Sequence, residues 1–144
     1  KVIRSYYSLT FQFQSNEAPS FHFELKEPGV INLPNGGKIN CKYVTEEILD
    51  ADVNTALFSV GRIKWPIIIR SRKIGDRMTI KGLNGSKKLK SIFIDQKVPM
   101  QERNMWPVLT DKEGNIIWLP GLKKSSFEGI DCKAKQYILF TYQK

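Results

Sequence analysis

Apolar and polar residues alternate one for one in several stretches of this chain, and that period of two leaves little choice of secondary structure. Tyr7, Leu9, Phe11 and Phe13 are separated by Ser8, Thr10 and Gln12, and Phe21, Phe23 and Leu25 by His22 and Glu24. Successive side chains of a strand point to opposite faces, so each stretch reads as a strand with one face buried. Between Val30–Leu33 and Lys38–Val44 stands Pro34-Asn35-Gly36-Gly37, whose Asn-Gly pair supplies the positive φ values of a tight hairpin turn. Ile67-Ile68-Ile69, Pro107-Val108-Leu109, Ile116–Leu119 and Tyr137–Tyr142 read as further strands, the second and third joined as a hairpin through Asp111–Asn115. Leu89, Ile92 and Phe93 recur at i, i+3 and i+4 and predict a helix capped by Ser86, and Thr45–Asp50 suits a short helical turn. The expected fold is mainly β, antiparallel and β-sandwich-like, with one or two short helices.

The net charge of +9 is distributed unevenly. Residues 1–60 hold 5 Lys and Arg against 7 Asp and Glu, and residues 61–144 hold 18 against 7. With the composition shift near Gly61, this divides the chain into a β-rich N-terminal lobe, residues 1–60, and a basic part, residues 61–144, expected to form one compact unit. A one-sided positive field attracts polyanions, nucleic acid foremost; a solvated basic face, or a surface for an acidic protein partner, is the alternative. Cys41 and Cys132 follow no metal-ligand or disulfide spacing and are expected to be reduced and structural. No stretch approaches the apolar length of a membrane span, so the expected location is cytoplasmic. The first residue is Lys, which suggests a piece of a longer chain.

The chemistry-bearing residues are cationic. Arg70, Arg72, Lys73 and Arg77 flank the Gly75-Asp76 turn, and Arg70 and Arg72 share one face if the strand continues, so their guanidiniums could grip neighbouring phosphates. Asp76 could orient one of them. A helix starting at Ser86 would put Lys87 and Lys88 against the positive end of its dipole, an arrangement that a bound phosphate would offset and that water would also tolerate. Gly82-Leu83-Asn84-Gly85-Ser86-Lys87 lacks the spacing of a nucleotide P-loop. Glu102 beside Arg103 has neither a His nor a second acid nearby, and no catalytic or metal site is expected. Trp65, Trp106 and Trp118 suit core or turn packing, with Trp106 the candidate for stacking on a base.

Four blocks occur in a recognisable order: Arg70-x-Arg72-Lys73-x-Gly75-Asp76-Arg77; Gly85-Ser86-Lys87-Lys88-Leu89-Lys90; Lys97-Val98-Pro99-x-x-Glu102-Arg103-x-x-Trp106-Pro107-Val108; and Ile117-Trp118-Leu119-Pro120-Gly121. Over residues 67–125 the chain resembles the C-terminal region of bacterial tRNA(Ile)-lysidine synthetase; residues 1–60 match loosely. The resemblance implies a β-sandwich-like fold related to a module of phenylalanyl-tRNA synthetase. It also implies a tRNA-binding part of an ATP-dependent ligase that joins lysine to the wobble cytidine of tRNA(Ile) with a CAU anticodon. ATP and Mg would belong to a separate N-terminal catalytic domain, a partner within the full-length protein, whose Ser-Gly-Gly-x-Asp-Ser phosphate loop is missing from this sequence. No cofactor is expected on this chain, and alone it should be inactive. The implied tRNA contacts are Arg70, Arg72, Lys73, Arg77, Ser86, Lys87, Lys88, Lys90 and Arg103, with Lys123 and Lys124 after the Pro120-Gly121 turn; the family often has Arg where this chain has Lys123. An independent β-rich RNA- or DNA-binding module and a domain for an acidic protein partner are the other readings.

Overall fold

In the computed structural model, residues 20–45, 54–129 and 135–144 are described. The strand expected at Tyr7–Phe13, most of the helical turn expected at Thr45–Asp50, and Cys132 lie outside them. In chain order the elements are β1 (His22–Leu25), β2 (Val30–Asn32), β3 (Lys38–Val44), β4 (Thr55–Ser59), β5 (Ile67–Arg70), β6 (Arg77–Thr79) and β7 (Ser86–Lys88). Helices α1 (Leu89–Asp95) and α2 (Met100–Arg103) follow, then β8 (Val108–Thr110), β9 (Ile116–Leu119), β10 (Lys123–Lys124) and β11 (Tyr137–Gln143). All strand pairs are antiparallel, as the alternation predicts. One sheet runs β10-β9-β8-β5-β1, a second β2-β3-β11-β4, and β6-β7 form a two-stranded hairpin. Among the described residues, no helix is long and apolar enough to cross a membrane.

The β2–β3 hairpin forms where the Asn-Gly signal predicts it, with one difference. Only Gly36 has positive φ, at 88°, and Asn35 does not. The Gly36 N–H donates to Leu33 O at 3.1 Å, so Pro34 and Asn35 turn the chain and Gly36 alone takes the left-handed position. The Asn35 side chain has another use: its Oδ1 accepts from the Gly37 N–H at 2.8 Å, and its Nδ2 donates to Tyr142 Oη at 3.0 Å. A Cβ on Gly37 would stand 2.9 Å from the Gln143 carbonyl oxygen, which explains the second glycine.

The two larger sheets enclose the main core, in which Ile39, Phe58, Ile67, Ile69, Leu109 and Phe140 are fully buried. Side chains of that size contribute roughly 1.5–3 kcal/mol each by leaving water. Cys41 lies in this core, where burial pushes its thiol up to about 12, against a smaller downward pull from a Gly29 backbone hydrogen bond. It is an inert structural thiol. A second core occupies the opposite face of the five-stranded sheet, where Val108, Ile116 and Leu119 meet Met78 and Ile80 near the β6–β7 hairpin and Leu89, Ile92 and Phe93 of α1. A register shift between Ile116 and Trp118 sends both Ile117 and Trp118 into the main core. Strict alternation would separate these neighbours; a bulge lets both turn the same way.

Two local features hold the hairpin and helix against the sheet. Helix α1 ends with the Gln96 N–H on Ile92 O and the Val98 N–H on Phe93 O, which turns Val98 into the second core. That closure puts Lys97 at φ 57°, the left-handed position usually taken by glycine. Arg70, at the end of β5, is buried and grips Asp76 with both terminal nitrogens, Nη1 to Oδ2 at 3.0 Å and Nη2 to Oδ1 at 3.1 Å. Arg70 Nη1 also donates to Ser71 O, and Asp76 Oδ2 accepts the Lys73 N–H at 2.6 Å. The pair thus closes residues 71–76 into a rigid turn.

Lys97→Gly should raise stability by about 0.5–1 kcal/mol, because glycine tolerates the left-handed conformation at some cost in unfolded-chain entropy; denaturant midpoints at constant slope measure it. Asp76→Ala should cost about 3 kcal/mol by leaving the Arg70 guanidinium buried and unpaired, and Arg70→Met in that background should recover part of the loss. Equal costs for the single and double variants would show that the pair carries no buried charge coupling.

Candidate nucleic-acid interface

The 71–76 turn, the β7–α1 junction and helix α2 surround an open groove of about 610 Å³. Arg72, Lys73, Lys88, Lys90 and Arg103 line it, and the one carboxylate lining it among the described residues, Asp76, is already engaged by Arg70. Each arginine is tethered in a different way. Arg72 Nε donates to Asn104 Oδ1 at 3.0 Å, and the guanidinium carbon lies 5.5 Å from the centroid of the Phe93 ring. Arg103 Nε donates to the Val98 carbonyl at 2.9 Å. Partial burial and then the nearby Arg103 charge pull the Arg72 pKa down, a direction that records two like charges held close. With Nε occupied, the terminal nitrogens of Arg72 and the Nη2 of Arg103 remain as the donors that a ligand would meet, while Arg103 Nη1 stands 3.8 Å from Met100 Sδ. An anion with several acceptor oxygens satisfies such a pair.

Five of the expected contact residues therefore meet in one groove: Arg72, Lys73, Lys88, Lys90 and Arg103. Arg70 does not join them. Strand β5 ends at Arg70, which turns inward to its bidentate pair, so Arg70 and Arg72 share no exposed face. Asp76 does orient an arginine, and that arginine is Arg70.

The expected helix at Ser86 needs a larger correction. Ser86–Lys88 form strand β7, paired as Arg77↔Lys88, Met78↔Lys87 and Thr79↔Ser86, and α1 starts only at Leu89. The N-cap is Lys88, with no side-chain cap hydrogen bond. The first helical N–H, that of Leu89, is already spent on Asp76 O at 3.0 Å. Ser86 Oγ accepts Arg77 Nε at 3.0 Å instead of capping. Lys87 stands on the strand, clear of the helix, whereas Lys88 is the N-cap and Lys90 lies in the first turn, so these two lysines are the ones set against the positive end of the dipole. Gly82 and Gly85, both at positive φ, serve the loop that joins β6 to β7. Arg77, Ser86 and Lys87 thus lie on the neighbouring hairpin, where Lys87 is ion-paired with Asp95.

Lys123 and Lys124 lie on β10, and Lys124 stands 3.9 Å from the buried Glu128. Glu128 also accepts the Leu57 N–H at 3.0 Å and pairs with Lys81. Trp106, half-buried, donates from Nε1 to Pro120 O at 2.8 Å and meets Phe93 edge-on, so it braces α1 against the Pro120 turn. Trp118 is fully buried. None of Asn104, Ile74 and Met100, which line the groove, is singled out in the sequence as a site residue, nor is Phe93 as the buried ring under Arg72. For Asn104, Ile74 and Met100 no periodic signal exists, because their place depends on tertiary contact; Phe93 is legible only as an apolar helix position.

The family model described as "TilS substrate C-terminal domain" matches residues 67–138. The tRNA(Ile)-lysidine synthase of Bacillus subtilis is 39% identical over 148 residues, covering 100% of this chain and 31% of the relative. The bifunctional protein TilS/HprT of Listeria innocua is 42% identical, covering 99% of this chain and 22% of the relative. The chain thus spans less than a third of the length of these curated relatives. A crystal structure of a TILS C-terminal domain superposes with a TM-score of 0.82 at 40% identity, covering 87% of this chain and 97% of that one. An N-terminal fragment of the phenylalanyl-tRNA synthetase β-subunit from Pyrococcus horikoshii shares the fold alone, with a TM-score of 0.53 and 20% identity over 62% of this chain and 28% of that one. With a family model over half of its length and a solved domain matched almost end to end, the chain belongs to the family of tRNA(Ile)-lysidine synthase C-terminal domains.

Proposed function

We propose that this chain is the tRNA-binding part of a tRNA(Ile)-lysidine synthase, acting in the cytoplasm beside a catalytic domain of the full-length protein. In that division of labour the catalytic domain, with ATP and Mg, joins lysine to the wobble cytidine of tRNA(Ile). This chain holds the body of the tRNA by its sugar–phosphate backbone. The observation that carries the reading is the groove: five cationic side chains converge on it, and the one carboxylate lining it among the described residues is neutralised from beneath by Arg70. Fixed guanidiniums suit phosphate because little side-chain freedom is lost on binding. Lys88 and Lys90, which also line the groove, supply further positive charge as point cations. Arg77, Lys87, Lys123 and Lys124 extend the basic surface beyond the groove, although Lys87 and Lys124 have acidic neighbours that share their charge.

Replacing both Arg72 and Arg103 with Gln should weaken tRNA(Ile) binding at least tenfold. It should also reduce the steepness of log affinity against log salt by about 0.7–0.9 for each phosphate contact removed. Lys87→Gln should change both quantities less, because Asp95 already neutralises that lysine. Titrations of labelled tRNA at several salt concentrations measure both. An unchanged slope for the double arginine variant would place the RNA elsewhere.

A further inference from the structure

Ile74, at the tip of the 71–76 turn, is as exposed as a side chain in an extended peptide, at 107% of reference accessibility. Met100 of α2 is also well exposed at 66%, with its Sδ 3.8 Å from Arg103 Nη1, and Ile74 and Met100 both line the groove among its cations. The fold holds Ile74 outward from both sides. The Asp76 N–H donates to Lys73 O at 3.1 Å, the Lys73 N–H donates back to Asp76 Oδ2, and Gly75 turns the chain at φ 87°. What suits a contact surface is the combination: two large exposed apolar side chains lining one groove that is rimmed by cations. Its surroundings restrict what can cover it, because a partner that buries Ile74 must also bring negative charge to Arg72, Lys73 and Arg103.

An A-form RNA stem meets both demands. Its minor groove is wide and shallow and presents ribose C–H groups and base edges between two rows of phosphates, whereas its major groove is too deep and narrow to admit side chains. On the tRNA-binding reading above, we propose that Ile74 and Met100 form an apolar contact seated in the minor groove of an A-form stem, with Arg72, Lys73 and Arg103 on the adjoining phosphates. Apolar burial displaces water and not counterions, so it adds affinity without adding salt dependence.

The test is fluorescence anisotropy with labelled tRNA(Ile) transcript between about 50 and 200 mM salt, using the 144-residue chain. Ile74→Ala should bind roughly tenfold more weakly, as expected for losing most of one buried aliphatic side chain, with the wild-type salt slope. Met100→Ala should show a smaller loss of the same kind. Lys73→Ala, the electrostatic control, should flatten the slope by about 0.7–0.9. On a DNA duplex of the same stem sequence, Ile74→Ala should match wild type. Wild-type affinity of Ile74→Ala for tRNA, a loss accompanied by a changed slope, or an equal loss on the DNA duplex would each overturn the proposal. If the wild-type chain itself bound tRNA without salt dependence, the tRNA-binding reading would have failed first, and the wild-type titration alone would reveal it.

Discussion

Strands β8 and β9 send side chains into cores on both faces of the sheet they share, Val108 and Leu109 from one and Ile116 and Ile117 from the other. The rest of the architecture follows from that double burial. The central strands of that sheet, wetted on neither face, cannot carry exposed charge along their length, so their charged side chains must leave from strand ends and connections. Arg70 marks the boundary. It ends β5 inside the low-dielectric region, and it is kept there because Asp76 returns to pair with it. The pairing converts a buried charge into the brace of a turn, and the turn presents Arg72, Lys73 and Ile74 on one lip of the groove. The second core has the matching role for the other walls, since Phe93 and Val98 fix the positions from which Lys90 and Arg103 project.

The groove shows how a stable core can organise charges that repel one another. Arg103 stands close enough to Arg72 to help pull its pKa down, after partial burial, yet neither side chain is free to swing away: Arg72 is tied to Asn104 and packed on Phe93, and Arg103 is tied to Val98 O. Such repulsion, sustained by second-core contacts, is relieved when an anion arrives. A scattered basic surface would lack this property, because mobile lysines relax into solvent and gain less from a ligand. Lys87 on the hairpin differs again, because its charge is already offset by the ion pair with Asp95.

Much of the fold is legible in the sequence because its strands obey the simple rule of alternation. Phe23 and Leu25 face inward and His22 and Glu24 outward, and Ile67 and Ile69 enter the core as the apolar run predicts. The reading fails where a local signal competes with a non-local pairing. Ser86 followed by Leu89, Ile92 and Phe93 has the appearance of a capped helix, but the three residues before Leu89 pair with Arg77–Thr79, and a strand that short has no period to read. The separation of Arg70 from Arg72 was hidden for a similar reason: it depends on where β5 stops and on the return of Asp76. Of the residues in the basic blocks, Arg72, Lys73, Lys88, Lys90 and Arg103 come together along one groove. Which cations are spent on structure, as Arg70 is, emerges only from the packing.

The central claim is that RNA meets the protein at the groove between the 71–76 turn and α2. The most direct measurement is an amide ¹H–¹⁵N correlation spectrum of the isotope-labelled chain, titrated with tRNA(Ile). The account predicts that the largest shifts or broadening cluster at residues 72–76, 88–90 and 100–104, together with the Arg72 and Arg103 side-chain Nε–H signals. Perturbations centred on the outward residues of β3, such as Lys38, Asn40 and Lys42, with the groove signals unmoved, would contradict it.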